Sequence, residues 1–236
     1  MAGKVVRVLG PVAVALFILC VPIFLITTNL ASAVNSGRLY DYGFNKYEVS
    51  EAIGVEDEEL LRAARELIYY FNSGEESIQI TVVTTEGEEL DLFNAREIIH
   101  LREVKGLIRL CYNLQVVTFG CLAAIAIGGF VWQRKRFGPL LAKMALGGGA
   151  LTIALIILVG IAALVDFDWL FLGFHRLFFS GDTWILNPAI DKLIVMFPPG
   201  FFYDAALFVI GAIIVEAVIV GGIGGFFMLR RRRAKG

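Results

Sequence analysis

Leu110-Cys-Tyr-Asn-Leu-Gln-Val-Val-Thr-Phe-Gly-Cys-Leu-Ala-Ala-Ile-Ala-Ile-Gly-Gly-Phe-Val-Trp-Gln133 runs for 24 residues without a charged side chain. A helix rises about 1.5 Å per residue, so this stretch reaches across a hydrocarbon core of about 30 Å with its backbone polar groups paired internally. Three more stretches qualify: the charge-free run of residues 8–37, residues 144–165, and residues 205–229, the last interrupted only by Glu216. The whole chain of 236 residues is 58% hydrophobic and 18% charged, with a mean hydropathy of +0.74, which excludes an ordinary cytosolic enzyme. Three cysteines, two histidines and a net charge of -1 exclude a disulfide scaffold, a multi-ligand zinc module and a basic nucleic-acid binder. All three cysteines, Cys20, Cys111 and Cys121, fall in spans and read as small apolar packing residues.

Basic residues in short loops stay on the cytoplasmic side. Lys4 and Arg7 precede span one, Arg134, Lys135, Arg136 and Lys143 join spans two and three, and Arg230 to Arg233 with Lys235 follow span four. These segments hold 11 basic residues and no acidic one, whereas residues 35–106 and 166–204 hold 9 basic and 21 acidic ones. The expected fold is therefore an α-helical integral membrane protein with four transmembrane helices and cytoplasmic termini. It divides into a first transmembrane helix (1–34), a small extracytoplasmic α+β domain (35–106), a second transmembrane helix (107–133), a basic loop (134–143), a third transmembrane helix (144–165), an aromatic interfacial loop (166–204), a fourth transmembrane helix (205–229) and a basic tail (230–236). A cleaved signal peptide ending near Ala31-Ser32-Ala33 is the competing reading of the first span, but its apolar core exceeds the usual signal length of about 7–15 residues.

In the first outer segment, Leu60, Leu61, Ala64, Leu67, Ile68 and Phe71 recur at helical spacing, with acidic residues 56–59 at the positive end of the helix and Asn72-Ser73-Gly74 as its stop. Residues 78–85 and 90–93, separated by Glu86-Gly87-Glu88, read as a hairpin. One helix and two strands make a thin core, expected to rest on the bilayer or on the other outer loop. Residues 94–105 lack Gly and Pro and flow into span two. As a helix they place Arg96, Glu97, His100 and Glu103 on one face, so one imidazole lies a turn from each of two carboxylates. A carboxylate beside histidine fixes its tautomer and stabilises its charged form, as a general base requires. The same spacing also suits a solvated charge face at a helix end.

The second outer segment has 11 aromatics in 39 residues, a density expected at the headgroup level of a bilayer. Residues 193–197, followed by Pro198-Pro199-Gly200, are too short to span and read as a re-entrant or interfacial turn. Within it lies Phe174-His175-Arg176-Leu177-Phe178-Phe179, with Ser180-Gly181-Asp182-Thr183 reading as a turn before Trp184. The charge pattern puts His175 on the same side as His100. Glu216 is an intramembrane carboxylate, costly unless paired or functional. A direct pair with Arg109 is not expected from their depths. Gly147 to Gly149 and Gly221, Gly222, Gly224 and Gly225 mark close helix contacts within a monomer. HExxH, GxSxG, phosphate-loop and CxxC motifs do not occur in the sequence, and neither a metal nor another cofactor is expected.

Residues 93–105, Phe-Asn-Ala-Arg-Glu-Ile-Ile-His-Leu-Arg-Glu-Val-Lys, resemble the histidine motif of the bacterial lipoprotein intramolecular transacylase (Lit) family. Residues 174–179 with Trp184 are similar to that family's second histidine motif, and residues 42–47 (Tyr-Gly-Phe-Asn-Lys-Tyr), the four-span layout and Pro198-Pro199 are similar too. Glu103 stands where the family has Asp. The resemblance implies transfer of the sn-2 acyl chain of a diacylglyceryl-modified lipoprotein to the α-amine of its own N-terminal cysteine, giving the lyso-form, in the bacterial cytoplasmic membrane. Membrane lipids and the lipoprotein are the expected partners. On that reading His100, supported by Glu97 or Glu103, takes the proton of the amine, and His175 holds or protonates the ester oxygens. Arg96, Lys105 and Arg176 are supporting charges, and Phe174, Phe178, Phe179 and Trp184 bind the lipid. Two other readings remain at this point: a non-catalytic membrane binding protein with an acidic outer domain, and a histidine-dependent membrane lipid hydrolase.

Overall fold

The computed structural model describes residues 2–233; the side chains of residues 2–9, 135 and 231–233 and all of residues 234–236 lie outside the described part, and with them the side chains of Lys4, Arg7, Lys135 and the end of the basic tail. Among the described residues, four helices are long and apolar enough to cross a membrane: α1 (Ala2–Val34), α5 (Ala95–Gln133), α6 (Phe137–Val165) and α9 (Pro199–Arg233). The chain divides into two compact units.

The first unit comprises residues 1–30, 111–161 and 208–236. Phe17, Val21, Leu25, Met144, Ile156, Ile213 and Ala217 form its centre, while Val116, Val131, Leu158 and Ile161 stay exposed on outward faces. That distribution suits helices solvated by lipid, where interfaces depend on close packing rather than on expelling water. Glycines supply the close approach. A Cβ at Gly148 would sit 2.7 Å from Val21, and one at Gly149 would sit 2.7 Å from the carbonyl oxygen of Ala217 and 2.9 Å from Gly221. Glu216 is paired not with Arg109 but with Asn29, whose amide donates to its Oε2 at 2.7 Å and to the Leu25 carbonyl at 2.9 Å. Arg109 donates to the Ser73 carbonyl instead, at 2.8 Å.

The second unit comprises residues 31–110 and 162–207. It contains α2 (Gly37–Lys46), α3 (Val49–Ile53), α4 (Asp57–Asn72), β1 (Thr81–Val83), β2 (Glu89–Asp91), the first turns of α5, α7 (Phe167–Phe178) and α8 (Lys192–Met196). The apolar stripe read from Leu60 to Phe71 is the buried face of α4, with acidic residues in its first turn. The hairpin is shorter than expected, three residues a side, with Thr81 opposite Asp91 and Val83 opposite Glu89; Gly87 takes the left-handed conformation in its turn. Helices α2 and α3 were not foreseen. Residues 37–46 are few and polar, and they gain helical order by burying Tyr40 against Phe197 and Phe201 and Phe44 against Phe197, with ring centroids 5.6–6.3 Å apart. The short α8 and the Pro198-Pro199 turn thus thicken a core that one helix and a hairpin would leave thin. Asp204 is held there by Lys46 at 2.6 Å and Tyr47 at 2.8 Å.

Backbone atoms cannot move aside at Gly149, so Gly149→Ala should destabilise the helix packing by about 1–3 kcal/mol, whereas Gly160→Ala, with only Ile210 Cδ1 at 4.0 Å, should stay within about 0.5 kcal/mol of the parent. Thermal unfolding of the two variants in the same detergent measures the difference; equal midpoints would show that the close approach at Gly149 does not constrain the bundle.

Candidate functional site

Helix α5 is 39 residues long, about 58 Å, nearly twice the hydrocarbon thickness. Its apolar run is the C-terminal part, so the turns carrying Arg96, Glu97, His100, Glu103 and Lys105 lie ahead of the spanning segment. A reciprocal cap starts the helix. Asn94 Oδ1 accepts the amides of Arg96 (3.0 Å) and Glu97 (3.2 Å), and Glu97 Oε2 accepts the amide of Asn94 at 2.7 Å. The other oxygen of Glu97 accepts the amide of Leu193 at 2.6 Å. Glu97 is 1% exposed, and burial pushes its carboxyl above the usual range against the pull of those two amides.

Asp191, fully buried, accepts from Asn187 N (2.6 Å), Asn94 Nδ2 (2.8 Å) and Arg96 Nη2 (2.5 Å). Burial alone would raise its carboxyl; these donors outweigh it and hold the group below the usual carboxylate range. The loop around Asn187–Leu193 is therefore tied by two carboxylates to the first turn of α5. Through this tie the segment that follows α7 is held beside His100.

His100 and His175, 75 positions apart in the chain, meet with ring centroids 6.1 Å apart and planes inclined by 29°. Both are buried, 6% and 8% exposed. Phe179 touches both rings, at 4.8 Å from His100 and 5.4 Å from His175. Phe171 at 4.3 Å, Phe174 at 5.5 Å and Trp184 at 5.2 Å complete an aromatic surround of His175, and Phe178 stacks behind Phe174 at 4.9 Å. His175 Nδ1 lies 2.8 Å from the Phe171 carbonyl oxygen. A carbonyl only accepts, so Nδ1 carries the proton and neutral His175 offers a lone pair at Nε2. Such a ring takes a proton at Nε2 before it can give one. His100 Nδ1 lies 3.7 Å from Glu103 Oε2, too far for a hydrogen bond, and it is a buried polar atom without a partner among the described residues. Burial pushes both imidazoles below the ordinary histidine value; at His100 the neighbouring His175 adds to this and Glu103 opposes it. Both rings are thus held neutral at neutral pH.

Several expected supporters stand elsewhere. Glu97 caps α5 rather than flanking the imidazole, because both its oxygens are occupied by backbone amides. Arg96 is committed to Asp191. Lys105 is buried with its ammonium 2.6 Å from the Glu75 carbonyl oxygen and 3.8 Å from the centre of the Tyr70 ring, so it braces α5 against α4. Arg176 is exposed in the last turn of α7. Sequence reading missed Phe171, although it lies one helical turn before His175, and Thr183, whose hydroxyl donates to Glu103 Oε2 at 2.6 Å. It also passed over the Asn94-x-x-Glu97 pattern, a legible capping signature.

The model of the lipoprotein intramolecular transacylase Lit family matches residues 15–202. The chain belongs to that family. The Lit fold is shared with a solved structure of the membrane-integral Lit from Bacillus cereus, at a TM-score of 0.77 and 19% identity over 94% of this chain and 97% of that one. Structures of two variants of the Bacillus cereus protein, a histidine replaced by arginine and by alanine, align at a TM-score of 0.75 and 18% identity over 99% of this chain and all of theirs. No curated protein matches the sequence.

Glu97→Ala orphans two amides, one of them buried at Leu193, and should cost about 1–3 kcal/mol for each, with Glu97→Gln recovering part of the loss through its remaining oxygen. Chemical denaturation of the detergent-solubilised protein measures this; a Glu97→Ala variant as stable as the parent would refute the capping role.

Proposed function

We propose that His100 and His175 form the acid/base pair of a lipoprotein intramolecular transacylase in this membrane protein, at the extracytoplasmic side. The observation that carries the reading is the meeting of two buried imidazoles with ring centroids 6.1 Å apart, in a chain of the Lit family. The reaction moves the sn-2 acyl chain of a diacylglyceryl group to the α-amine of the same lipoprotein's N-terminal cysteine. The amine has a reference pKa near 8 and is mostly ammonium at neutral pH, so a neutral base must first remove a proton. His100 does so at Nε2, its Nδ1 facing Glu103. The freed amine attacks the sn-2 carbonyl carbon, forming the C–N bond and placing negative charge on the carbonyl oxygen. His175 Nε2 takes the second proton from the new C–N nitrogen. When the C–O bond breaks, an imidazolium returns a proton to the departing glycerol oxygen, leaving an amide, a free hydroxyl and one proton released overall.

Nucleophile and ester belong to one molecule, so holding both against the paired rings supplies much of the rate. The aromatics Phe174, Phe178, Phe179 and Trp184 suit the acyl chain and glycerol, and exposed Arg176 suits the lipid headgroups. The excess of basic residues in the terminal segments and the 134–143 loop supports cytoplasmic termini and an outward-facing site.

His100→Ala and His175→Ala should each insert normally and lose lyso-form production by at least about a hundredfold. Mass spectrometry of a diacylated reporter lipoprotein reads this, and unchanged acyl migration in either variant contradicts the assignment. Free fatty acid in place of amide would instead identify a hydrolase. Because a base works neutral and burial lowers both histidines, kcat should persist as pH falls past about 6.5 and drop only below it. An acid limb above that value would contradict the buried environment.

A further inference from the structure

Thr183 lies in the turn after α7, one residue before the Trp184 that stacks on His175, and its hydroxyl bonds the very oxygen of Glu103 that faces His100 Nδ1. The geometry is unusual in one respect. His100 Nδ1 is buried and unpartnered, although a carboxylate oxygen stands only 3.7 Å away. A carboxylate oxygen has two lone pairs and can serve both groups, so the separation reflects where Thr183 anchors it. The Glu103 side chain is one-third exposed, and without the hydroxyl its charge gains by turning toward water.

We propose that Thr183 is a positioning residue for acyl transfer, anchoring Glu103 short of His100 so that the carboxylate engages Nδ1 only when the ring takes up the substrate's proton. Neutral His100 keeps its Nε2 lone pair for the ammonium, since no strong hydrogen bond has yet raised its affinity for a proton. Once Nε2 is protonated, the imidazolium Nδ1–H and Glu103 Oε2 need close by only about 0.9 Å to reach the common N–H···O distance of about 2.8 Å, and the bond becomes charge-assisted. The aspartate that the resemblance leads one to expect at position 103 would be one methylene shorter; with glutamate, the longer and more mobile side chain needs an anchor, and the loop tied down by Asp191 supplies one. The charged or titratable groups facing His100 are Glu103 from its own helix and His175 from α7.

This inference rests on the acid/base reading of His100. The test uses the full chain in detergent with a synthetic peptide bearing an N-terminal S-diacylglyceryl cysteine. Thr183→Val should lower kcat about tenfold with KM little changed and move the acid limb of the kcat profile down by about one pH unit, because the imidazolium loses its counter-charge. Thr183→Ser should restore both. In a Glu103→Gln background the Thr183→Val change should add no further loss, since the hydroxyl acts through that carboxylate. A Thr183→Val enzyme with parental kcat and acid limb overturns the proposal, as does an undiminished further loss in the Glu103→Gln background. Should Thr183→Val fail to insert, Thr183→Ala is read by the same profile. Activity surviving His100→Ala would sink the underlying acid/base reading, whereas dependence on His100 with an indifferent Thr183 would sink this assignment alone.

Discussion

Glu97 and Asp191 are acidic side chains withdrawn almost wholly from solvent, Glu97 holding two donors on its oxygens and Asp191 three. Breaking one partner of a buried, fully bonded carboxylate leaves an uncompensated charge or orphaned amides, so the arrangement resists small displacements. The consequence is positional. The Asn187–Leu193 loop is fixed to the first turn of α5, and the short path back through Trp184 and Phe179 to α7 places His175 over His100. Every other feature of the site, including the neutral state of both rings, depends on that placement.

On the proposed reading the imidazoles transfer protons rather than bind an ion pair. Aromatic walls keep water from them and lower their affinity for protons, and the Phe171 carbonyl selects one tautomer of His175. Two neutral bases side by side match a reaction in which an ammonium loses two protons and an alkoxide regains one. Glu103 stands near enough to answer a positive charge on His100 but not to engage the neutral ring. Lys105 is committed to the Glu75 carbonyl and the Tyr70 ring.

Much of this was legible in the sequence, unevenly. The four apolar runs follow directly from hydrocarbon thickness, and the unbroken residues 94–133 read as the helix that they form. The two histidines stood out because they are the only two in the sequence and the charge pattern puts both on one side of the membrane. Their meeting was expected from the shared membrane side and the family resemblance, but residue spacing could not show what brings it about, a loop-to-helix tie formed by Asp191 and Leu193, 95 or so positions from their partners. Helical spacing put Glu97 on the face of His100, and the family resemblance added Lys105, yet neither tells which partner a side chain chooses. Glu97 took backbone amides and Lys105 an aromatic face. Short helices α2 and α3 exist only because tertiary burial of Tyr40, Phe44, Val49 and Ile53 overrides weak local preference.

The central claim is that the two imidazoles act as a unit on one substrate. A double-mutant cycle on acyl migration tests it most directly, comparing His100→Ala, His175→Ala and the pair with the parent on one diacylated reporter. Groups acting in concert give strongly non-additive losses, so the double variant should be no slower than the more damaged single variant. Losses that simply multiply would show that the rings contribute independently, and the account of a shared site would be wrong.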